Sequence, residues 1–431
     1  MSAVQLEKFP YPFKAALTIC SDIDETQFQD FLIVQKFIVS KAETALGKGL
    51  GLAIGNSFWM FDQPGSPESA FSYFSYETLK ETEYAQSMRQ LIEAGILDVM
   101  HSYGNFTSNH PFTRELAELS LEAFERHALQ VNVWTNHGGP ENHQNIGHLS
   151  QGQGDSFSLP GQNGTYHIDL LKKHGIRFYW DAEISVSNII GQDRPARFYE
   201  AYWHNPLHRH FDRPYRQWVK GGFALWDYTY FKLSGKNFFP WAMPHMTNEL
   251  IVPETLRDGS TLLKFKRFGH GRYDWSEDLP VVLNNEVLKT LVEKRGYLIL
   301  YTHMGSKRSG NQSILSPGSV ATLKRLAQYQ ETGQIWIDTT SHLLNYNWAH
   351  KNLEWSVEET QSKYVIRIKE NGNTQPHMAF TPRLLAGLTF SAPAGKDMIV
   401  LLGTSEIQCD VINLRDRQYK RIPLNKTEWP L

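Results

Sequence analysis

The sequence predicts an α/β protein built as a (β/α) barrel with a small all-β module after it. Three observations carry that prediction. Short apolar runs alternate with helical patterns from residue 15 to about 345, in seven or eight units. No Gly-x-Gly-x-x-Gly opens a helix after the first run, which argues against an open sheet that binds a dinucleotide. Beyond about residue 350 the helical patterns stop and only strand-like runs follow.

Taken in order, "AALTICSD" is a buried strand that ends in Asp22, with Asp24 just beyond. "GLGLAIGNSFWMF" is the second apolar run, and "ETEYAQSMRQLIEAG" carries Met88, Leu91 and Ile92 at helical spacing. "ILDVMHSYG" is the third strand, followed by "TRELAELSLEAFERHAL" with Leu116, Leu119, Leu121 and Phe124. "VNVWTNHGG", "IRFYWDAEI", "YLILYTHMG" and "IWIDTTS" continue the series, and "NNEVLKTLVEKRG" is a helix stopped by glycine. Residues 190–275, rich in aromatic and basic residues, fit the alternation badly and are expected to form a long insertion or lid. The domains expected are thus a barrel over 1–350 and a β module over 351–431, the latter from "KYVIRIKE", "LAGLTFS" and "DMIVLLGTSEI".

The 431 residues are 41% hydrophobic and 20% charged, which suits a chain with a sizeable core. Forty-three basic against forty-five acidic residues give a net charge of −2, which favours neither nucleic acid nor an anionic membrane surface. Two cysteines, with no Cys-x-x-Cys pair, exclude a disulfide framework and a zinc knuckle. No apolar run reaches the roughly 20 residues that a spanning helix needs. The N-terminus lacks a basic start followed by a long apolar stretch, so the expected compartment is the cytoplasm. Aromatic residues at 13% suit a cleft that stacks against sugars, although core packing is the commoner use.

In a parallel barrel the strand ends surround one mouth, and catalytic groups gather there. The polar residues at those ends are Asp22 and Asp24, His101 and Asn105, Asn136 and His137, Asp181, and His303. Each alone reads more simply as a hydrogen-bonded surface group. Together they converge if the barrel forms. Two carboxylates one residue apart repel, and a divalent cation offsets that repulsion. Oxygen and imidazole donors suit zinc, which acidifies a bound water. The competing reading of the pair is a cap on the helix that begins near "ETQFQDF".

On these residues the chain resembles the polysaccharide deacetylase family, also called the NodB-homology or carbohydrate esterase family 4 group. Its members have a distorted (β/α)7 barrel and remove acetyl groups from N-acetylated sugars with a metal-bound water. By resemblance, Asp22 is the base and Asp24 the first metal ligand. "HSYGN" follows the helix, the glycine and the strand of the family's His-Ser/Thr-x-x-His motif, which implies His101 and Asn105 as the other ligands, with His110 in a shifted register as the reserve. The family's third motif brings an arginine that orients the base, but "WTNHGGP" has none. Asn136 or His137 is left to hold a carboxylate, and His137 is also a possible ligand. Histidines 143 and 148 read as incidental members of a flexible polar loop. Trp180 and Asp181 match the fourth motif and, with His137, are expected at the substrate. "LILYTHMG" matches the fifth, making His303 the acid that protonates the leaving nitrogen.

The resemblance implies a hydrolase of amide bonds other than peptide bonds, with a divalent metal, zinc by preference. Its substrate would be a carbohydrate or another N-acylated small molecule. In the cytoplasm, a soluble or carrier-linked N-acetylated sugar made during surface-glycan synthesis fits better than a cell-wall polymer. The alternative is a non-catalytic protein that binds carbohydrate or a partner on a degenerate deacetylase scaffold. A third reading is a glycoside hydrolase with Asp22 and Asp181 as its acid and base, independent of metal.

Overall fold

The computed structural model describes residues 3–63, 71–138, 142–147, 153–156, 165–184, 249–306, 313–370 and 379–431, with scattered positions between 218 and 234. All seven apolar runs of the barrel region contain strands. The N-terminal β1 (Gln5–Leu6) comes first, then β2 (Ala15–Ser21). A two-stranded ribbon, β3 (Glu43–Thr44) and β4 (Gly47–Lys48), leads to β5 (Gly55–Phe58). β6 (Val99–His101), β7 (Val133–Thr135) and β8 (Phe178–Trp180) follow. β9 (Ile251–Thr255) and β10 (Thr261–Phe265) form a hairpin, and β11 (Tyr297–Thr302) and β12 (Ile335–Ile337) complete the sheet.

The path through this sheet is β11-β2-β5-β6-β7-β8-β10-β9, with β12 also paired to β2, and only β9 runs antiparallel. The sheet is curled and barrel-like. Just past β10, Phe268 bridges to Leu300 of β11, its N–H donating to the Ile299 carbonyl at 2.7 Å. The far end of the path is thereby brought back to its beginning.

Why β2 reads as an unbroken apolar run is now plain. Leu17 and Ile19 face outward against Val34, Phe37 and Ile38 of the helix Phe28–Val39. Ala16 and Cys20 face inward with Val99, Val133, Phe178, Phe265 and Ile299. A strand buried on both faces needs no polar alternation. The same helix begins with Gln27 as N-cap and no side-chain cap, so neither aspartate of the Asp-x-Asp pair caps it.

Residues 249–275 correct one expectation. They are not part of an insertion, because β10 lies parallel to β8 and carries Leu263 and Phe265 into the inner core. Most of 190–248 lies outside the described residues.

The helix Thr340–Asn352 sets Leu343, Leu344 and Ala349 against the inner core at the end of the barrel where strands begin. Its first turn approaches so closely that a Cβ on Gly55 would lie 2.0 Å from Thr340 Oγ1, which is why glycine opens β5. Asp98, buried just before β6, ties the junction. It accepts from the Asn56 N–H at 3.0 Å and the Ser341 N–H at 2.7 Å.

Beyond that helix, β13 (Trp355–Glu359), β14 (Lys363–Ile368), β16 (Asp397–Leu402) and β17 (Ser405–Glu406) form one four-stranded sheet. β15 (Thr389–Pro393), β18 (Asp410–Asn413) and β19 (Arg417–Arg421) form another, whose fourth strand is β1. Every strand of these two sheets except β1 comes from beyond residue 350, and β1 brings the N-terminal segment to them. No helix among the described residues is long and apolar enough to cross a membrane.

Burial pushes the Asp98 carboxyl up to about 6, against its two backbone hydrogen bonds. A carboxyl raised in the folded state stabilises most when protonated, and that contribution is lost as pH rises from about 4 to about 6. The stability deficit of Asp98→Asn relative to wild type should therefore be larger at pH 4.5 than at pH 7, by on the order of 1–3 kcal/mol in urea denaturation. A deficit that stays constant over that range contradicts the assignment.

Candidate metal centre

Parallel register brings the site together. Thr302 of β11 lies opposite Ser21 of β2, so His303 and the Asp22–Asp24 segment leave neighbouring strands side by side. His101 ends β6 opposite Thr135 of β7, and Thr135 lies opposite Trp180 of β8. Asn136, His137 and Asp181 follow from those ends. Glu25, Ser102 and Ala182 have φ of 57°, 56° and 58°, so the chain turns sharply just after Asp24, His101 and Asp181. Left-handed backbone is uncommon for such residues and is found disproportionately at functional sites.

Asp24, His101 and His137 converge, with one donor atom from each lying within 4.8 Å of the others. Asp24 Oδ1 is 3.3 Å from His101 Nε2 and 3.7 Å from His137 Nδ1, and the two ring nitrogens are 3.1 Å apart. Asp24 Oδ1 is buried with no hydrogen-bond partner. A buried, orphaned carboxylate oxygen beside two imidazole nitrogens is what a divalent ion would satisfy, so the residues fit such a group. His101 is oriented from behind, its Nδ1 being 2.6 Å from Thr135 Oγ1. The Trp59 ring lies parallel to His101 at 6.0 Å.

Asn142 and Asn145 hold His137 by its backbone. The His137 N–H donates to Asn145 Oδ1 at 3.1 Å, and its carbonyl accepts from Asn142 Nδ2 and Asn145 Nδ2 at 2.7 and 2.8 Å. Residues 142–147 are therefore a packed clasp and not the flexible loop expected, although His143 has no place in the metal-capable group. His148 lies outside the described residues.

Burial alone would raise the Asp24 carboxyl, but His137 and His101 outweigh it and hold the carboxyl well below the usual range. Burial lowers His137 to about 4, so its ring is neutral near pH 7 and keeps a lone pair for coordination. His303 goes the other way. Burial would lower it, but a hydrogen bond and the charge of Asp24 raise it to about 9. Its Nε2 is 3.2 Å from Asp24 Oδ2 and its Nδ1 is 3.0 Å from the Asp274 carbonyl.

Asp22 is buried beside this group and paired with an arginine. Arg267 Nη1 donates to Asp22 Oδ2 at 2.8 Å, and both side chains are almost wholly out of water, at 0% and 2% exposure. The guanidinium sits 4.2 Å from the Trp180 ring centroid, and its Nη2 is 3.0 Å from Cys20 Sγ. Asp22 Oδ1 is buried and makes no hydrogen bond.

Several sequence expectations change here. Among histidine, cysteine and carboxylate donors the third member of the convergent set is His137, because the next strand in the sheet delivers an imidazole across from His101. Asn105 is half-buried on the loop after β6. His110 packs against Tyr76 and is not in the group. The arginine absent from "WTNHGGP" is supplied by Arg267 from just beyond β10. Asn136 holds a carboxylate as expected, but that of Asp181, at 3.1 Å. Trp180 and Asp181 are 5% and 0% exposed; Trp180 packs on the Arg267 guanidinium and Asp181 accepts from Asn136.

Arg267 could have been found as a basic residue on an otherwise apolar run, "LLKFKRF", had that run been read as a strand. No family model matches the chain, and no curated protein matches it either.

Removing one partner of a buried ion pair strands the other charge. Arg267→Met should lower stability by about 3–5 kcal/mol, and adding Asp22→Asn should restore much of that loss. Urea unfolding of both single variants and the double variant measures it, and additive losses would refute the coupling.

Proposed function

We propose that this protein is a metal-dependent amide hydrolase that removes an acetyl or similar acyl group from an N-acylated sugar or related amide. The observation that carries the reading is the convergence of Asp24, His101 and His137 beside an arginine-anchored aspartate and a histidine raised to about 9. The likeness of the Asp-x-Asp strand end and the "LILYTHMG" strand end to the polysaccharide deacetylases supports the substrate class.

Asp24, His101 and His137 would hold the ion, and one carboxylate with two imidazoles suits zinc. Such an ion supplies an acidified water and polarises an acyl carbonyl. The protein's own groups do the rest. Arg267 fixes Asp22 through Oδ2, which leaves Oδ1 to accept the proton of the attacking water. The charge of Asp22 is felt at both His137 and His303, so the base lies close to the ligand and to the acid. His303 would donate a proton to the departing nitrogen. The Asp274 carbonyl holds its other ring nitrogen and so fixes which way the ring faces.

The test combines metal analysis with acetate release from N-acetylated amino sugars. Wild type should carry about one divalent ion per chain, and His137→Ala should lose it while Asn105→Ala keeps it. Asp22→Asn should keep the ion and lose activity by about a thousandfold or more. An Asp22→Asn variant near wild-type activity rejects the base, and retention of metal by His137→Ala rejects the ligand set. Stoichiometric metal without release of any acyl group from amino sugars favours the binding-scaffold reading.

A further inference from the structure

The other end of the barrel carries a second cavity, of about 590 Å³. Its wall forms where strands begin: Asp98 precedes β6, Asn132 precedes β7 and Arg177 precedes β8. The metal centre lies where the same strands end, so the two sites are separated by the length of the barrel. The helix Thr340–Asn352 contributes His342 to the wall, and the β module contributes Arg383. A cavity of this size accommodates a small metabolite.

Basic groups outnumber acidic ones in its wall. Lys172, Arg177 and Arg383 line it, against two aspartates that are already committed. Asp98 accepts two backbone N–H groups, as described above. Asp338 Oδ1 accepts from the Thr339 N–H at 2.7 Å and is 2.8 Å from His342 Nδ1. Arg177 is half-buried, and burial lowers its pKa, as expected of a guanidinium held back from bulk water. Arg383 stands at the exposed rim, close enough for its charge to be felt at His342. A cationic wall partly screened from solvent attracts an anion more strongly than the same charges on an open surface.

We propose that this cavity binds a small oxyanion-bearing molecule, its phosphate or carboxylate group held between Arg177 of the barrel and Arg383 of the β module. Planar guanidinium forks match either anion with paired hydrogen bonds. The ligand would bridge barrel and module. The inference does not depend on the chemistry assigned to the metal centre.

The experiment is calorimetric titration of the full chain, freed of metal by chelation, with inorganic phosphate and separately with citrate, at ionic strength fixed with chloride. At least one anion should saturate a single site, and which one does so distinguishes a phosphoryl from a carboxylate ligand. Arg383→Glu and Arg177→Gln should each weaken binding about tenfold or more, the worth of one charge-assisted hydrogen bond. Because Arg383 is exposed, Arg383→Glu should keep the wild-type melting behaviour. Asp24→Asn, at the far end, should leave anion binding unchanged. Failure of both anions to saturate by about 10 mM overturns the proposal. So does wild-type affinity in either arginine variant, or loss of binding in Asp24→Asn.

Discussion

The buried pairing of Arg267 with Asp22 constrains the whole barrel. The two residues are 245 positions apart and meet where both side chains are almost wholly buried. Withdrawing two charges from solvent costs several kcal/mol each unless geometry and further contacts compensate. Here Cys20, Trp180 and Tyr301 surround the guanidinium, with the aromatic centroids at 4.2 and 5.5 Å. Those neighbours come from β2, β8 and β11, so the pair is satisfied only when the curled sheet brings both ends of its path together. The contact that orients the proposed base is also one that penalises an open sheet.

Much of the fold was legible because β2, β6, β7, β8 and β11 are buried on both faces and read as apolar runs. The site was legible as a set of strand ends more than as a set of roles. Asp22, Asp24, His101 and His303 sit together as the barrel argument required. A motif in sequence places its second ligand a few residues on, at Asn105, whereas the sheet supplies His137 from 36 residues away, one strand over. Arg267 was missed because β10 alternates. Lys264 pairs with Glu254 on the neighbouring antiparallel strand while Leu263 and Phe265 point inward, and that mixture resembles the basic, aromatic stretch before it. Trp180 and Asp181 end and follow their strand as read, with contacts to Arg267 and Asn136 that sequence alone does not show.

Strand direction separates two kinds of chemistry in this molecule. Where strands end, loops turn abruptly and gather imidazoles and carboxylates around one orphaned oxygen. Where they begin, a helix packs across the opening, held by glycine-sized clearance at Gly55 and by a carboxylate that accepts the Ser341 N–H of its first turn. Barrels of this general kind place reactivity at the former end and stability at the latter. The basic cavity between that stabilising end and the β module departs from this division.

The first strand of the chain lies in a sheet made otherwise of residues from its last segment. Gln5 and Leu6 pair with Ser391 and Phe390, and Tyr11 stacks on Tyr419 at 3.8 Å. Cutting the polypeptide after residue 350 would therefore not release an autonomous tail. It would leave the excised piece with an unprotected edge where β1 had been, open to pairing with another copy, and would deprive the barrel of a clasp joining its two ends.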